Sequence, residues 1–220
     1  MLALERVEVA IAGTRVLRGV DLVVAAGARV ALIGRNGAGK TTTLRAIMGL
    51  APLAAGRLSF HGEDLARMPA HRRTALAIGY APEDRRLFAG FTVEENLRLP
   101  AEVLGLGAAE VGRRLEKVFA ILPELVELRS RRAGGLSGGQ GKMVALGRAL
   151  MTGTKLVLLD EPFQGLAPAL AKRYAEALAR LRAAEPELAI LITESNPDLL
   201  KPMVETAYRI ERGEVAPTTL

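Results

Sequence analysis

The residues best suited to chemistry lie in Gly34-Arg35-Asn36-Gly37-Ala38-Gly39-Lys40-Thr41-Thr42. The spacing is GxxxxGK[ST], and it stands between two predicted elements: Arg29 to Gly34 reads as a buried strand, Thr41 to Leu50 as a helix. Glycines at these positions let backbone N–H groups curl around phosphate oxygens, and the helix start adds partial positive charge. Lys40 supplies a mobile point charge for the outer phosphates, and the Thr41 hydroxyl is placed for Mg²⁺.

A second chemical segment is Lys155-Leu156-Val157-Leu158-Leu159-Asp160-Glu161-Pro162. Four apolar residues in a row predict a strand buried on both faces, ending in two carboxylates. Asp160 at the strand end can reach a metal ion, directly or through water. Glu161 can polarise a water for in-line attack on a terminal phosphate. Between the two lies Leu136-Ser137-Gly138-Gly139-Gln140. Ser137 is a good N-cap, Gln140 completes a capping-box spacing, and Gly138 and Gly139 allow close backbone approach. That predicts a second helix start suited to an anion.

These three segments, in this order, resemble the ABC-transporter ATPases, and Leu136 to Gln140 is similar to that family's signature motif. Gly141 to Leu150 continues like its signature helix. The resemblance covers essentially the whole chain. The run from Gly79 to Phe88, with Phe91-Thr92-Val93-Glu94-Glu95-Asn96-Leu97, resembles one subgroup. That subgroup is the shorter ATP-binding subunit of branched-chain amino-acid importers and of related urea and amide importers. Gly165-Leu166-Ala167-Pro168 is similar to it too.

The resemblance implies an α/β phosphate-loop core with an antiparallel β subdomain and a helical subdomain, within one ABC ATPase domain over 1–220. Residues 1–83 and 152–220 would form the core with its β subdomain, and 84–151 the helical part with the signature helix. It implies ATP and Mg²⁺ as ligands and two ATPase subunits sandwiching two nucleotides, a heterodimer being favoured. It also implies transmembrane permease subunits and, indirectly, a periplasmic solute-binding protein. The chain is expected as a peripheral protein on the cytoplasmic face of the membrane, soluble when isolated. Glu83 takes the place of the Gln that senses metal and substrate state.

Three positions depart from the family pattern. The aromatic that stacks on adenine is replaced by Ile11, with Val16 nearby, and no Phe, Tyr or Trp precedes Phe60. The switch position after the last core strand carries Ser195 instead of His, so a bridging water is expected to reach the γ-phosphate. Phe163 is bulky for a loop that crosses the dimer interface. These departures keep a second reading open, a degenerate ATPase that binds ATP to clamp a partner. A non-transport relative is a third, although such relatives usually carry two cassettes or a very long insertion. Small GTPases are excluded by the signature segment and the missing guanine-reading NKxD.

Composition narrows the classes further. The chain has no cysteine, so disulfides and cysteine metal sites are excluded. His61 and His71 lie in a loop-rich stretch and read as surface residues. No apolar run approaches the ~20 residues of a membrane span, and no signal peptide is visible. The formal charge is +6, with basic clusters at Arg72-Arg73, Arg85-Arg86 and Arg129 to Arg132. They lack interleaved aromatics, so the reading is a solvated or lipid-facing surface and no nucleic acid.

The remaining elements follow from periodicity. Leu2, Leu4, Val7, Val9 and Val20, Leu22, Val24 predict two half-buried antiparallel strands, and Ala25-Ala26-Gly27 a turn. Residues 56–60 and 76–81 read as short strands. Thr92 and Glu95 form a capping box opening a helix that Pro100 should end or kink. Ala108 to Leu122 reads as an amphipathic helix with Glu110 and Arg114 as an i,i+4 pair. A helix over Pro168 to Ala184 and strands over Leu188 to Thr193, Ala207 to Ile210 and Glu214 to Ala216 complete the pattern.

Overall fold

The structure is a computed structural model and describes residues 1–220. Two compact units divide the chain: Met1–Leu76 with Ala189–Leu220, and Ala77–Leu188.

The first unit opens with β1 (Leu2–Ile11) and β2 (Thr14–Val24), an antiparallel pair joined at Ala12-Gly13. With β4 (Ala55–Phe60) and β5 (Glu63–Asp64) they form a sheet of order β2-β1-β4-β5. The buried residues of β1 are Leu2, Ala3, Leu4, Val7 and Val9, and the large apolar ones change phase between Leu4 and Val7. A β-bulge explains it: register shifts between Leu4 and Val7, and Arg6 sits at φ 47°. Arg6 N–H then donates to Asp21 Oδ1 at 2.8 Å.

Five consecutive apolar or stem-burying residues make β3 (Arg29–Ile33), buried along its length. It lies between β8 (Ala189–Glu194) and β9 (Thr206–Glu211), parallel to both, and β9 turns at Arg212-Gly213 into β10 (Glu214–Thr218). Burial on both faces is what an all-apolar parallel strand requires. Helix α1 (Lys40–Ile47) follows β3, and its C-terminal end is held by Arg73 of the short α2 (Ala70–Arg73). Arg73 Nη1 donates to the carbonyls of Ala46 and Ile47, both at 2.7 Å, Nη2 to Leu65 and Nε to Met68. This cation faces the negative end of α1. The Arg72-Arg73 cluster is therefore half interior. Burial lowers the Arg73 pKa, with the nearby Asp64 charge acting the other way.

In the second unit, β6 (Ile78–Ala81) and β7 (Leu156–Asp160) pair in parallel. Four helices accompany them: α3 (Val93–Val103), α4 (Ala108–Ile121), α5 (Gly138–Thr152) and α6 (Pro168–Ala184). Helix α3 opens with the expected Thr92–Glu95 capping box. It runs through Pro100 to Val103, so of the two expected effects, an end or a kink, the proline does not produce the end. Proline deletes only its own N–H, and its carbonyl still accepts from Leu104 N–H at 3.3 Å. In α4, Glu110 binds both Arg113 and Arg114, and these bonds hold its carboxyl below the usual range. No helix is long and apolar enough to cross a membrane.

Candidate functional site

The phosphate loop belongs to the first unit. At its start Gly34 faces Ile210, where a Cβ would fall 2.3 Å from the carbonyl oxygen, so only glycine fits. At its end Gly39 has φ 118°, and an added Cβ would meet Leu17 Cδ2 at 2.9 Å. The loop is tied down by Gly213 N–H, which donates to Ala38 O at 3.0 Å, while Arg18 N–H donates to Gly213 O at 2.9 Å. Arg35, Asn36 and Gly37 form its exposed outer edge, and Ala38 is buried.

Lys40, the first residue of α1, is buried. Its Nζ donates to Gly34 O at 2.6 Å, to Arg35 O at 3.0 Å and to Ser195 Oγ at 3.2 Å. Ser195 Oγ in turn donates to Asn36 Oδ1 at 2.7 Å. The serine just past β8 thus reaches the phosphate loop through its own hydroxyl. Helix α1 has no side-chain cap and no acid in its first turn. Thr41 and Thr42 in that turn are part-exposed. Uncapped amides, a confined ammonium and an adjacent hydroxyl form a donor set that fits a polyphosphate.

Ile11 ends β1 at the hairpin and is 49 % exposed, while Val16 in β2 is part-buried. No aromatic ring stands at this hairpin.

The carboxylates belong to the second unit. Asp160 closes β7 and is buried, accepting from the Tyr80 hydroxyl at 3.0 Å. Tyr80 was not singled out from the sequence. Only the parallel register of β6 on β7, with Tyr80 opposite Leu158, brings it there. Glu161 is also buried and sits at φ 45°, in the left-handed region. For a non-glycine residue that costs about 1–3 kcal/mol and persists only where the surroundings enforce it. The Glu161 carbonyl accepts from Gln164 N–H at 3.2 Å and from Lys142 Nζ at 2.5 Å. Lys142 is a second residue the sequence reading passed over, as an ordinary helix position. The Asp160 carboxylate is an oxygen donor of the kind that suits a hard cation like Mg²⁺.

The signature segment also lies in the second unit. Ser137 caps α5 with the expected reciprocal pair: Gln140 N–H donates to Ser137 Oγ at 3.3 Å, and Ser137 N–H to Gln140 Oε1 at 3.0 Å. The N–H groups of Gly138 and Gly139 have no intrahelical carbonyl to pair with. Glu83 is exposed, in the loop just after β6. Two residues on, Arg85 Nη1 donates to Gly138 O at 3.3 Å.

The bulk of Phe163 is accommodated by packing. Phe163 does not project from its loop; it is buried, with its ring edge-on to Tyr174 of α6 at 5.4 Å. A large apolar ring next to an apolar helix face gains more from burial than from exposure. Gln164, Gly165 and Ala167 are the exposed residues of that loop.

Known proteins resemble this chain over nearly all of its length. The family model described as "ABC transporter" matches residues 17–164. The chain is 35 % identical over 215 residues to the high-affinity branched-chain amino acid transport ATP-binding protein BraG of Pseudomonas aeruginosa, covering 98 % of this chain and 91 % of that one. It is 33 % identical over 205 residues to the lipopolysaccharide export system ATP-binding protein LptB of Escherichia coli, covering 92 % and 83 %. A solved ATP-binding subunit of an ABC transporter superposes with a TM-score of 0.86 at 32 % identity, covering all of this chain and 90 % of that one. The chain belongs to the ABC transporter family as an ATP-binding subunit, an ATPase coupled to transport.

Proposed function

We propose that this chain hydrolyses ATP to power an importer of branched-chain amino acids or related small polar solutes. The observation that carries the ATPase half is Lys40, buried at an uncapped helix start with its ammonium turned onto the loop carbonyls. Likeness to BraG supports the solute class. Likeness to LptB supports a second reading, export of an amphipathic lipid.

In this reading the phosphate loop, Gly34 to Thr42, binds the phosphates. Thr41 and Asp160, with Glu83 responding to them, are the oxygens that would hold Mg²⁺, which when bound neutralises charge developing on the phosphate oxygens. Glu161 orients the attacking water and takes its proton. Ser195 touches the γ-phosphate side of the site, and Ile11 with Val16 offers an aliphatic base platform without stacking. Catalysis is then mostly electrostatic preorganisation on a loose transition state.

Cassettes of this family act as dimers with transmembrane permease subunits. The signature residues Ser137, Gly138, Gly139 and Gln140 would cover the nucleotide of a second cassette, in a heterodimer whose two sites turn over unequally. Segment 84–151 would relay nucleotide state to the permease at the cytoplasmic face of the membrane. Purifying the chain with its native membrane subunits and reconstituting them tests the solute. Leucine, isoleucine or valine should stimulate ATP hydrolysis in the presence of the cognate binding protein. Stimulation by a lipid alone would favour the export reading.

A further inference from the structure

The backbone of Glu161 is held in an unusual way. Its φ of 45° is in the left-handed region, and the next residue is Pro162, which drives its predecessor toward extended conformations. Two restraints thus oppose the conformation that Glu161 adopts. A charged side chain is among the groups that hold it: Lys142 Nζ donates to the Glu161 carbonyl at 2.5 Å, beside the Gln164 N–H at 3.2 Å.

Lys142 stands on α5, five residues beyond the Ser137 cap and two beyond Gln140. The helix is continuous from Gly138 to Thr152 and buried over most of its length, so its first turns move together. A displacement of the signature end is therefore felt at the Lys142 ammonium. Its acceptor is a backbone carbonyl, so the bond sets the peptide from which the Glu161 side chain departs and does not depend on that side chain's charge. Charge-assisted bonds to a carbonyl are the strong ones, which suits a restraint that must overcome a disfavoured backbone.

We propose that Lys142 is a positioning residue for hydrolysis, transmitting the position of the signature helix to the Glu161 peptide. The proposal rests on the reading of Glu161 as the water-orienting carboxylate. One chain would then link the signature it offers to a partner's nucleotide with the carboxylate it uses on its own.

The test is hydrolysis of Mg·ATP by the full chain and by Lys142→Gln, Lys142→Arg, Glu161→Gln and the double variant Glu161→Gln/Lys142→Gln. Misplacing a catalytic group by a fraction of an ångström lowers turnover by about tenfold or more. Lys142→Gln should therefore lose about tenfold in kcat with KM for ATP within about twofold, and Lys142→Arg should recover most of the rate. The double variant should be no slower than Glu161→Gln, because Lys142 acts through Glu161. Wild-type kcat in Lys142→Gln, or the same tenfold loss repeated on top of Glu161→Gln, would overturn the proposal. So would loss of folding in both single Lys142 variants. Wild-type turnover in Glu161→Gln would instead remove the reading of Glu161 itself. A slow Glu161→Gln beside a silent Lys142→Gln removes only the role of Lys142.

Discussion

Lys40 and Ser195 are one hydrogen bond apart, at 3.2 Å, and Ser195 is in turn bonded to Asn36. Lys40 is thus confined at the mouth of the loop by three oxygen acceptors. Truncation to Lys40→Ala removes the loop's ammonium, and ATP binding should weaken by about tenfold or more, with hydrolysis lost. Equilibrium binding of a fluorescent ATP analogue measures this, and near-normal affinity and turnover would count against the site. At the hairpin, Ile11 is half exposed, so a larger ring has room. Stacking contributes about 1–3 kcal/mol per base where it occurs. Ile11→Tyr should then tighten ATP binding by about tenfold, visible in a titration. Lys40, Asp160 and Glu161 were legible because their motifs are short and local. Tyr80 and Lys142 were not. They lie 80 and 19 residues from the groups they touch, and only strand register and helix packing bring them close.

At the scale of elements, capping boxes fix where α3 and α5 begin, and an arginine closes the end of α1. Arg73 seals the C-terminal end of α1 through the carbonyls of Ala46 and Ile47, and also binds the loop carbonyls of Leu65 and Met68. Arg73→Met leaves those carbonyls short of a donor and should cost at least about 3 kcal/mol, read from urea unfolding. At α3, Glu95 accepts from Thr92 N–H at 2.7 Å, and the Thr92 bonds hold its carboxyl below the usual range. A depressed carboxyl stabilises the fold above its unfolded value, and that contribution is lost as pH falls through the folded value. Acidification from pH 7 to about pH 3 should therefore cost the wild type more stability than Glu95→Gln. Equal losses in paired unfolding curves would show that the cap does not titrate. Both capping boxes were readable from residue spacing alone. The bulge in β1 was written in the sequence as a phase slip from Leu4 to Val7, yet a list of alternating residues hides it. Packing decides what local preference leaves open: α3 continues past Pro100, and Phe163 gains an inward contact on Tyr174.

For the whole molecule, the order of three motifs along the chain was enough to expect the fold, and the likeness to a solved ATP-binding subunit at a TM-score of 0.86 agrees. The transported solute was not legible, because every motif singled out in the sequence concerns nucleotide chemistry. What the chain does determine is whether bound ATP is cleaved or merely held. In the proposed function Glu161 decides this, as the carboxylate that follows β7 and whose carbonyl accepts from Lys142. The most direct measurement is phosphate release from Mg·ATP by the wild type and by Glu161→Gln, with association followed by light scattering in the same samples. The account predicts release by the wild type and a loss of at least about 100-fold in Glu161→Gln, with ATP still bound and the cassettes held together, alone or with a sister subunit. Equal release by the two proteins, or a wild type that binds ATP and releases no phosphate, would contradict it.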